Sequence, residues 1–249
     1  MFTLGAAAEL ALRVSAGRRG AHTVQRVIGK IGSMPPTVRV RSEHGLLFAL
    51  DPAAVMDSEM IRTGSYEPEV LKTVLKLLPQ NGVFWDIGAN IGVHSLTIRY
   101  LCPHVTVISF EPAPHPGARL IENARLNGLC LDLWPVALSD SNGYAEMAVN
   151  VTTNSGISSL SPWPGSKYDG TTRVRVERAD DLIATGLLRP DIVKLDIEGH
   201  ELAALRGFSS FPKAIVFEST IDSVRKIAQL LSGYSIQPID SRNYIALRS

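Results

Sequence analysis

The sequence predicts an α/β fold: a seven-stranded, mostly parallel sheet with helices on both faces, preceded by a helical N-terminal extension. Three observations predict it. Short apolar runs alternate with helix-period segments from about residue 69 onward, the pattern of a parallel sheet covered on both sides. A glycine-rich turn, Gly88-Ala89-Asn90-Ile91-Gly92, lies where the first apolar run gives way to a helical one. Two strand-like pieces come last, as a closing antiparallel edge would.

The elements follow in order. Val24, Val27, Ile28 and Ile31 recur at helical spacing among Arg18, Arg19, Arg26 and Lys30, predicting an arm that packs on the domain or on a second subunit in a homodimer. Pro35-Pro36 ends it. Val38 to Arg41 alternates like a strand, with Leu46 to Leu50 as its hairpin partner, and residues 1–60 are read as arm plus hairpin, 61–249 as the main domain. Glu69 to Leu78 reads as a helix, Val83-Phe84-Trp85 as a strand, Gly92 to Tyr100 as a helix, and Val105 to Phe110 as a strand. A helix from about Pro116 to Leu126 and a strand near Leu131 to Ala137 come next. The alternation breaks at Gly143 to Val149 and Arg173 to Glu177, which read as an antiparallel pair around a polar loop, Thr152 to Thr172. It resumes with helix Ala179 to Thr185, strand Asp191 to Ile197, helix His200 to Arg206, strand Ala214 to Glu218 and helix Asp222 to Leu231. Strand-like Tyr234 to Pro238 and Tyr244 to Leu247 complete the series.

Composition narrows the classes. At 249 residues the chain can bury a core without metal or disulfide staples. A formal charge of +1 provides no basic field for nucleic acid. Glu9 interrupts the apolar stretch Leu4 to Leu12, and no run approaches the ~18 residues of a membrane span. Cys102 and Cys130 match no CxxC spacing, so buried reduced thiols and a cytoplasmic setting are expected.

The chemistry-bearing residues gather at predicted strand ends. Asp86 precedes the glycine turn. A dinucleotide site would carry GxGxxG, but here the third glycine is missing and an acid stands where pyrophosphate would sit, which disfavours a nicotinamide enzyme and suits a cationic ligand. Glu111 follows the next strand 25 positions beyond Asp86, near the ~20 expected of a ribose-gripping carboxylate. Asp196 and Glu198 leave the strand on the same side, with His200 beyond them. No third carboxylate is evident, so no metal is expected. The alternative is a divalent ion bridging Asp196, Glu198 and a substrate diol. His94, His104 and His115 read as surface or helix positions. The loop with Trp163 and Tyr168 is expected to cover an acceptor site.

These motifs resemble the FkbM-type family of S-adenosylmethionine-dependent methyltransferases. The resemblance runs from about Ser65 to Glu218 and rests on Ser65-Tyr66-Glu67-Pro68, Phe84 to Gly92, and Phe110-Glu111-Pro112 followed by Asn123. Ala137-Leu138-Ser139-Asp140, Asn154-Ser155-Gly156, Asp181-Leu182, the Lys194 to Glu201 block and Phe217-Glu218 extend it. Trp85 departs from the small or β-branched residue usual in the family. The resemblance implies a Rossmann-like class I methyltransferase fold and S-adenosyl-L-methionine as cofactor. It places Asp86, Gly88, Asn90 and Gly92 at the methionine part, Glu111 with Pro112 at the ribose, and Ala137, Leu138 and Asp140 at the adenine. Tyr66 and Glu67 would close over the cofactor, with Asp196 at its edge. It implies O-methylation of a small hydroxylated substrate, a sugar, glycoside, polyketide or other secondary metabolite. Asp196 and Glu198 are the candidate bases, with His200 as the alternative. A nucleic-acid or other non-hydroxyl methyltransferase, or a non-catalytic cofactor-binding assembly protein, is the alternative reading.

Overall fold

The computed structural model describes residues 37–150, 158–162, 165 and 167–249. The expected N-terminal arm and Trp163 lie outside the described residues. The chain opens with the hairpin β1 (Val38–Arg41) and β2 (Leu47–Leu50), then α1 (Val55–Thr63) and α2 (Pro68–Leu77). Next come β3 (Val83–Ile87), α3 (Val93–Leu101), β4 (Thr106–Phe110), α4 (Pro114–Leu126) and β5 (Asp132–Trp134). A side sheet is built from β6 (Ala137–Leu138), β7 (Gly143–Val149) and β8 (Gly170–Glu177), and α5 (Ala179–Ala184) returns the chain to the main sheet. The series ends with β9 (Ile192–Leu195), α6 (Glu201–Arg206), β10 (Ala214–Glu218), α7 (Ile221–Leu230), β11 (Tyr234–Pro238) and β12 (Asn243–Arg248).

The main sheet has seven strands in the order β11-β12-β10-β9-β3-β4-β5. The five strands from β10 to β5 are parallel, and β12 and β11 add the antiparallel edge. The chain runs outward from β3 through β4 to β5, then returns to β9 on the other side of β3. The strand order therefore reverses at the β9–β3 junction, where ligands of open α/β sheets bind, outside the carboxyl ends. The single strand expected near Leu131 to Ala137 is instead two. Pro135 has no N–H for a ladder, so pairing with β4 stops at Trp134 and Ala137–Leu138 pairs with β8.

Alternation along each strand divides the core into two layers. Phe84, Val107, Ile192 and Val216 face one layer, with Phe48, Val70, Leu96 and Leu120. Trp85, Ile108, Val193 and Ile215 face the other, with Phe110, Leu205 and Phe217. Each fully buried side chain of this size contributes roughly 2–3 kcal/mol of transfer free energy. Trp85 Nε1 donates to the Leu188 carbonyl at 3.0 Å, so its one polar atom is satisfied.

The hairpin is stitched to α4 by amides. Asn123 accepts from Ala49 N at 2.8 Å and donates to Ile91 O at 3.0 Å, and Asn127 exchanges two 2.7 Å bonds with Leu47. Leu46, Phe48 and Leu50 thereby enter the main core. Sequence periodicity gave no sign of α1: its N-cap Ala54 has no capping side chain, and its Asp57 is buried as the partner of Arg119. Cys102 is half-buried and Cys130 is exposed, so the expectation of two buried thiols fails for Cys130, beyond the end of α4. Among the described residues no helix is long and apolar enough to cross a membrane.

Candidate active site

The glycine turn follows β3 and is held by backbone geometry that few residues adopt. Gly88, Asn90 and Gly92 have φ of 83°, 49° and 87°. Gly88 and Ala89 both donate to Phe110 O at 3.0 Å, tying the turn to the end of β4. Asp86 does not reach the cavity. It is buried beneath the turn, where its Oδ2 accepts from Ser95 N at 3.1 Å and from Ser95 Oγ at 2.6 Å. Gly92 likewise serves as the N-cap of α3.

Glu111 lies at the cavity wall beyond β4. One oxygen accepts from Asn90 N and the other from Ala113 N, each at 2.8 Å. Burial pushes its carboxyl up to about 7, against the pull of those two amides. Pro112, Val136, Ala137 and Leu138 continue this wall as an apolar surface. Asp140, expected beside them, is exposed and is not part of the lining.

On the other side of β3, the buried Lys194 and the half-buried Asp196 form an ion pair, Nζ to Oδ2 2.9 Å. Lys194 stands in register with Asp86 across β9 and β3. Burial pushes Asp196 upward, but the Lys194 charge and hydrogen bond hold its carboxyl below the usual range. Glu218, at the end of neighbouring β10, moves the opposite way. Burial and the Asp196 charge push it to about 8, despite Arg242 Nη1 at 3.3 Å. Asp196, Glu198 and Glu218 bring carboxylate oxygens within 4.8 Å of one another, so β10 supplies the third carboxylate that the spacing of Asp196 and Glu198 does not reveal. Oxygen ligands of this kind suit a hard cation, but Lys194 already sets one positive charge against Asp196.

Tyr66 and Glu67 sit over the same end. Glu67 has φ 46°, and its Oε1 accepts from Asn243 Nδ2 at 3.2 Å. Its Oε2 lies 3.8 Å from His94 Nε2, and neither atom has a hydrogen-bond partner among the described residues. Burial raises Glu67 to about 7 and lowers His94 to about 3. His94, expected at a surface or helix position, lies in α3 and is a buried neutral imidazole that lines the cavity. His104 is exposed.

His200 lines the cavity with both ring nitrogens engaged, Nε2 at 3.0 Å from Ser139 Oγ and Nδ1 at 3.0 Å from Ser161 Oγ. Glu198 has φ 55°, and its carbonyl accepts from Ser159 Oγ at 2.7 Å. Glu201 Oε1 takes the Ile197 and Gly199 amides at 3.2 and 3.0 Å, closing the turn.

One cavity of about 300 Å³ joins these walls. It brings together Tyr66, Gly88, Asn90, Glu111, Pro112, Ala137, Leu138, Asp196, Glu198 and His200. It adds Met56 and Glu59 from α1, His94, Lys194, Glu218 and Arg242, none of which sequence spacing had marked. Lys194 and Glu218 fall in motifs that carry the family resemblance, the Lys194 to Glu201 block and Phe217-Glu218, and that is the only signal for them in the sequence.

A doubly wound sheet with a glycine turn at its switch point and carboxylates on either side is the architecture of a Rossmann-like, class I methyltransferase. The family comparison agrees. The chain belongs to the FkbM methyltransferase family, whose Methyltransferase FkbM domain matches residues 86–236. It is 30% identical over 154 residues to hexuronic acid methyltransferase AglP of Haloferax volcanii, covering 61% of this chain and 60% of that protein. It is 40% identical over 77 residues to 31-O-demethyl-FK506 methyltransferase FkbM of Streptomyces tacrolimicus, covering 31% of this chain and 29% of that one. The chain thus spans about three-fifths of the first relative's length and under a third of the second's. A crystal structure of methyltransferase FkbM from Methylobacillus flagellatus superposes with a TM-score of 0.48 at 17% identity, over 72% of this chain and 47% of that one.

Proposed function

We propose that this chain is an S-adenosyl-L-methionine-dependent O-methyltransferase whose acceptor is a hydroxyl of a sugar, glycoside, polyketide or other secondary metabolite. The observation that carries the reading is the division of one cavity by β3: the Glu111 carboxylate on the β4 side, and the Asp196, Glu198 and Glu218 group on the β9 and β10 side.

The residues fit that cofactor. Each Glu111 oxygen accepts one amide and keeps a lone pair for a ribose hydroxyl. Ala137 and Leu138 offer an apolar wall for adenine, and the acidic surroundings suit a cationic methionine end. When bound, the cofactor supplies an electrophilic methyl group. The protein's part is to hold the acceptor oxygen in line and to take its proton. Asp196, kept ionised by Lys194, accepts that proton, with Glu198 beside it. Glu218, which retains its own proton near neutrality, hydrogen-bonds to Asp196 and spreads the charge over the pair. One relative is named for a hexuronic acid and another for a 31-O position, which supports an oxygen-bearing acceptor. The free thiols of Cys102 and Cys130 fit a cytoplasmic setting.

Calorimetric titration with S-adenosylmethionine and S-adenosylhomocysteine tests the cofactor. About micromolar binding, lost in Glu111→Ala, is expected. A folded protein that binds neither ligand overturns the reading. Mass spectrometry of products from hexuronic acids, neutral glycosides, macrolide alcohols and single-stranded RNA then tests the acceptor. Methyl ethers on the hydroxylated compounds are expected, and methylation of RNA alone would replace the acceptor class.

A further inference from the structure

Three separate pieces of chain meet on one imidazole. Ser139, directly after the Ala137–Leu138 wall, lies 3.0 Å from His200 Nε2, and Ser161 lies 3.0 Å from His200 Nδ1. His200 itself ends the turn that carries Glu198. The segment holding Ser161 is tied to β7 and to the Glu198 turn: Ser159 exchanges backbone bonds of 2.9 Å with Ala148 on β7, its buried hydroxyl reaches Glu198 O and the amide of Ser161, and Ser158 Oγ accepts from Asn150 N at 3.3 Å. Ser158 and Leu160 of that segment face the cavity. A base for an acceptor hydroxyl needs a lone pair turned toward that hydroxyl. His200 spends one nitrogen on each serine, and burial holds its pKa below the usual value, so it stays neutral, one nitrogen donating and the other accepting.

We propose that His200 is a positioning residue of the acceptor site, which pins the Ser158–Ser161 segment and the Ser139 wall to the Glu198 turn. This side of the cavity is thereby joined to the turn that carries Glu198, whose carbonyl the same segment already holds through Ser159 Oγ. The inference rests on the methyltransferase reading, and its test is independent of acceptor identity. It uses hydrogen exchange of the Ala148 and Ser159 amides in the S-adenosylhomocysteine-loaded protein, with calorimetric affinity for that ligand measured beside it.

In His200→Ala the two amides are expected to exchange about tenfold faster, the effect of losing one or two hydrogen bonds. Amides of β3 and β4 should stay protected and ligand affinity should stay near wild type. Ser161→Ala should reproduce the loosening, and His200→Asn, whose amide reaches the Nδ1 position, should reverse much of it. A purely global effect would loosen β3 and β4 as well and would not be rescued by asparagine. Unchanged exchange in both His200→Ala and Ser161→Ala overturns the proposal. So does a collapse of ligand affinity in His200→Ala alone, which would put the imidazole on the cofactor. Wild-type protein that fails to bind S-adenosylhomocysteine would instead overturn the methyltransferase reading, while exchange in the ligand-free protein would still report on the tether.

Discussion

A Cβ placed on Gly88 would stand 1.9 Å from the main-chain carbonyl oxygen of Asp196. The glycine turn after β3 and the acid at the end of β9 are therefore in direct backbone contact, and neither can shift alone. Gly88→Ala adds this clash to a φ of 83°. It is expected to cost about 3 kcal/mol, combining overpacking and left-handed strain. Thermal unfolding should show the loss, and cofactor titration should show binding gone or far weaker. Wild-type affinity in this variant would mean that the turn is not the cofactor platform.

Glu111 gives a pH dependence with a definite sign. Its folded-state carboxyl titrates at about 7, well above the ordinary value of 4.5. Between those limits the folded ligand-free protein holds a proton that the unfolded chain releases, so stability falls as pH rises through that window. Cofactor affinity should change in the opposite direction, strengthening as Glu111 ionises and can accept from two hydroxyls. Chemical denaturation and calorimetry from pH 5 to about 8 check both trends. Glu111→Gln should reduce the stability slope without abolishing it, since Glu67 and Glu218 are raised into the same range, and should weaken the cofactor about tenfold or more, the effect of a lost charge-assisted bond.

Lys194→Met removes a buried cation from its pair with the half-buried Asp196 and leaves that acid among Asp86, Glu67 and Glu218. The expected cost is about 3–5 kcal/mol, read by urea denaturation. Adding Asp196→Asn to Lys194→Met should recover part of that cost. Additive effects in the double-mutant cycle would mean the two residues are not coupled.

Asn123→Ala strips Ala49 N and Ile91 O of their partners in the interior. About 2–3 kcal/mol of stability should be lost, with hydrogen exchange at Ala49 rising more than exchange within β9. Cofactor affinity should fall only modestly, since the amide touches the turn's backbone and not the cavity.

The alternation of apolar runs with helical periods carried most of the fold, because a parallel sheet buries its strands on both faces. Strands Ala214–Glu218 and Tyr234–Pro238 have the bounds their residues predict. The site was legible where a motif and its chemistry coincide, as at Glu111, Asp196 and Glu198. It was not legible where a role depends on distant packing. Asp86 reads as a ligand-facing acid until Ser95 is seen to occupy it. His94 reads as an ordinary helix residue, and only the packing of Tyr66 and Glu67 over α3 makes it a buried wall. Arg242 reaches the cavity through a hairpin whose register no local pattern specifies.

The last hairpin bears on how this protein can be divided and recombined. The family domain matches residues 86–236, yet β12 lies between β10 and β11 in the main sheet and its lead-in carries Arg242. A fragment cut at the domain match would bare the long edge of β10 and remove Asn243, the partner of Glu67. The smallest unit that could be grafted, fused or swapped between relatives therefore extends through Arg248, and chimaeras joined before β12 would exchange part of the acceptor end along with the scaffold.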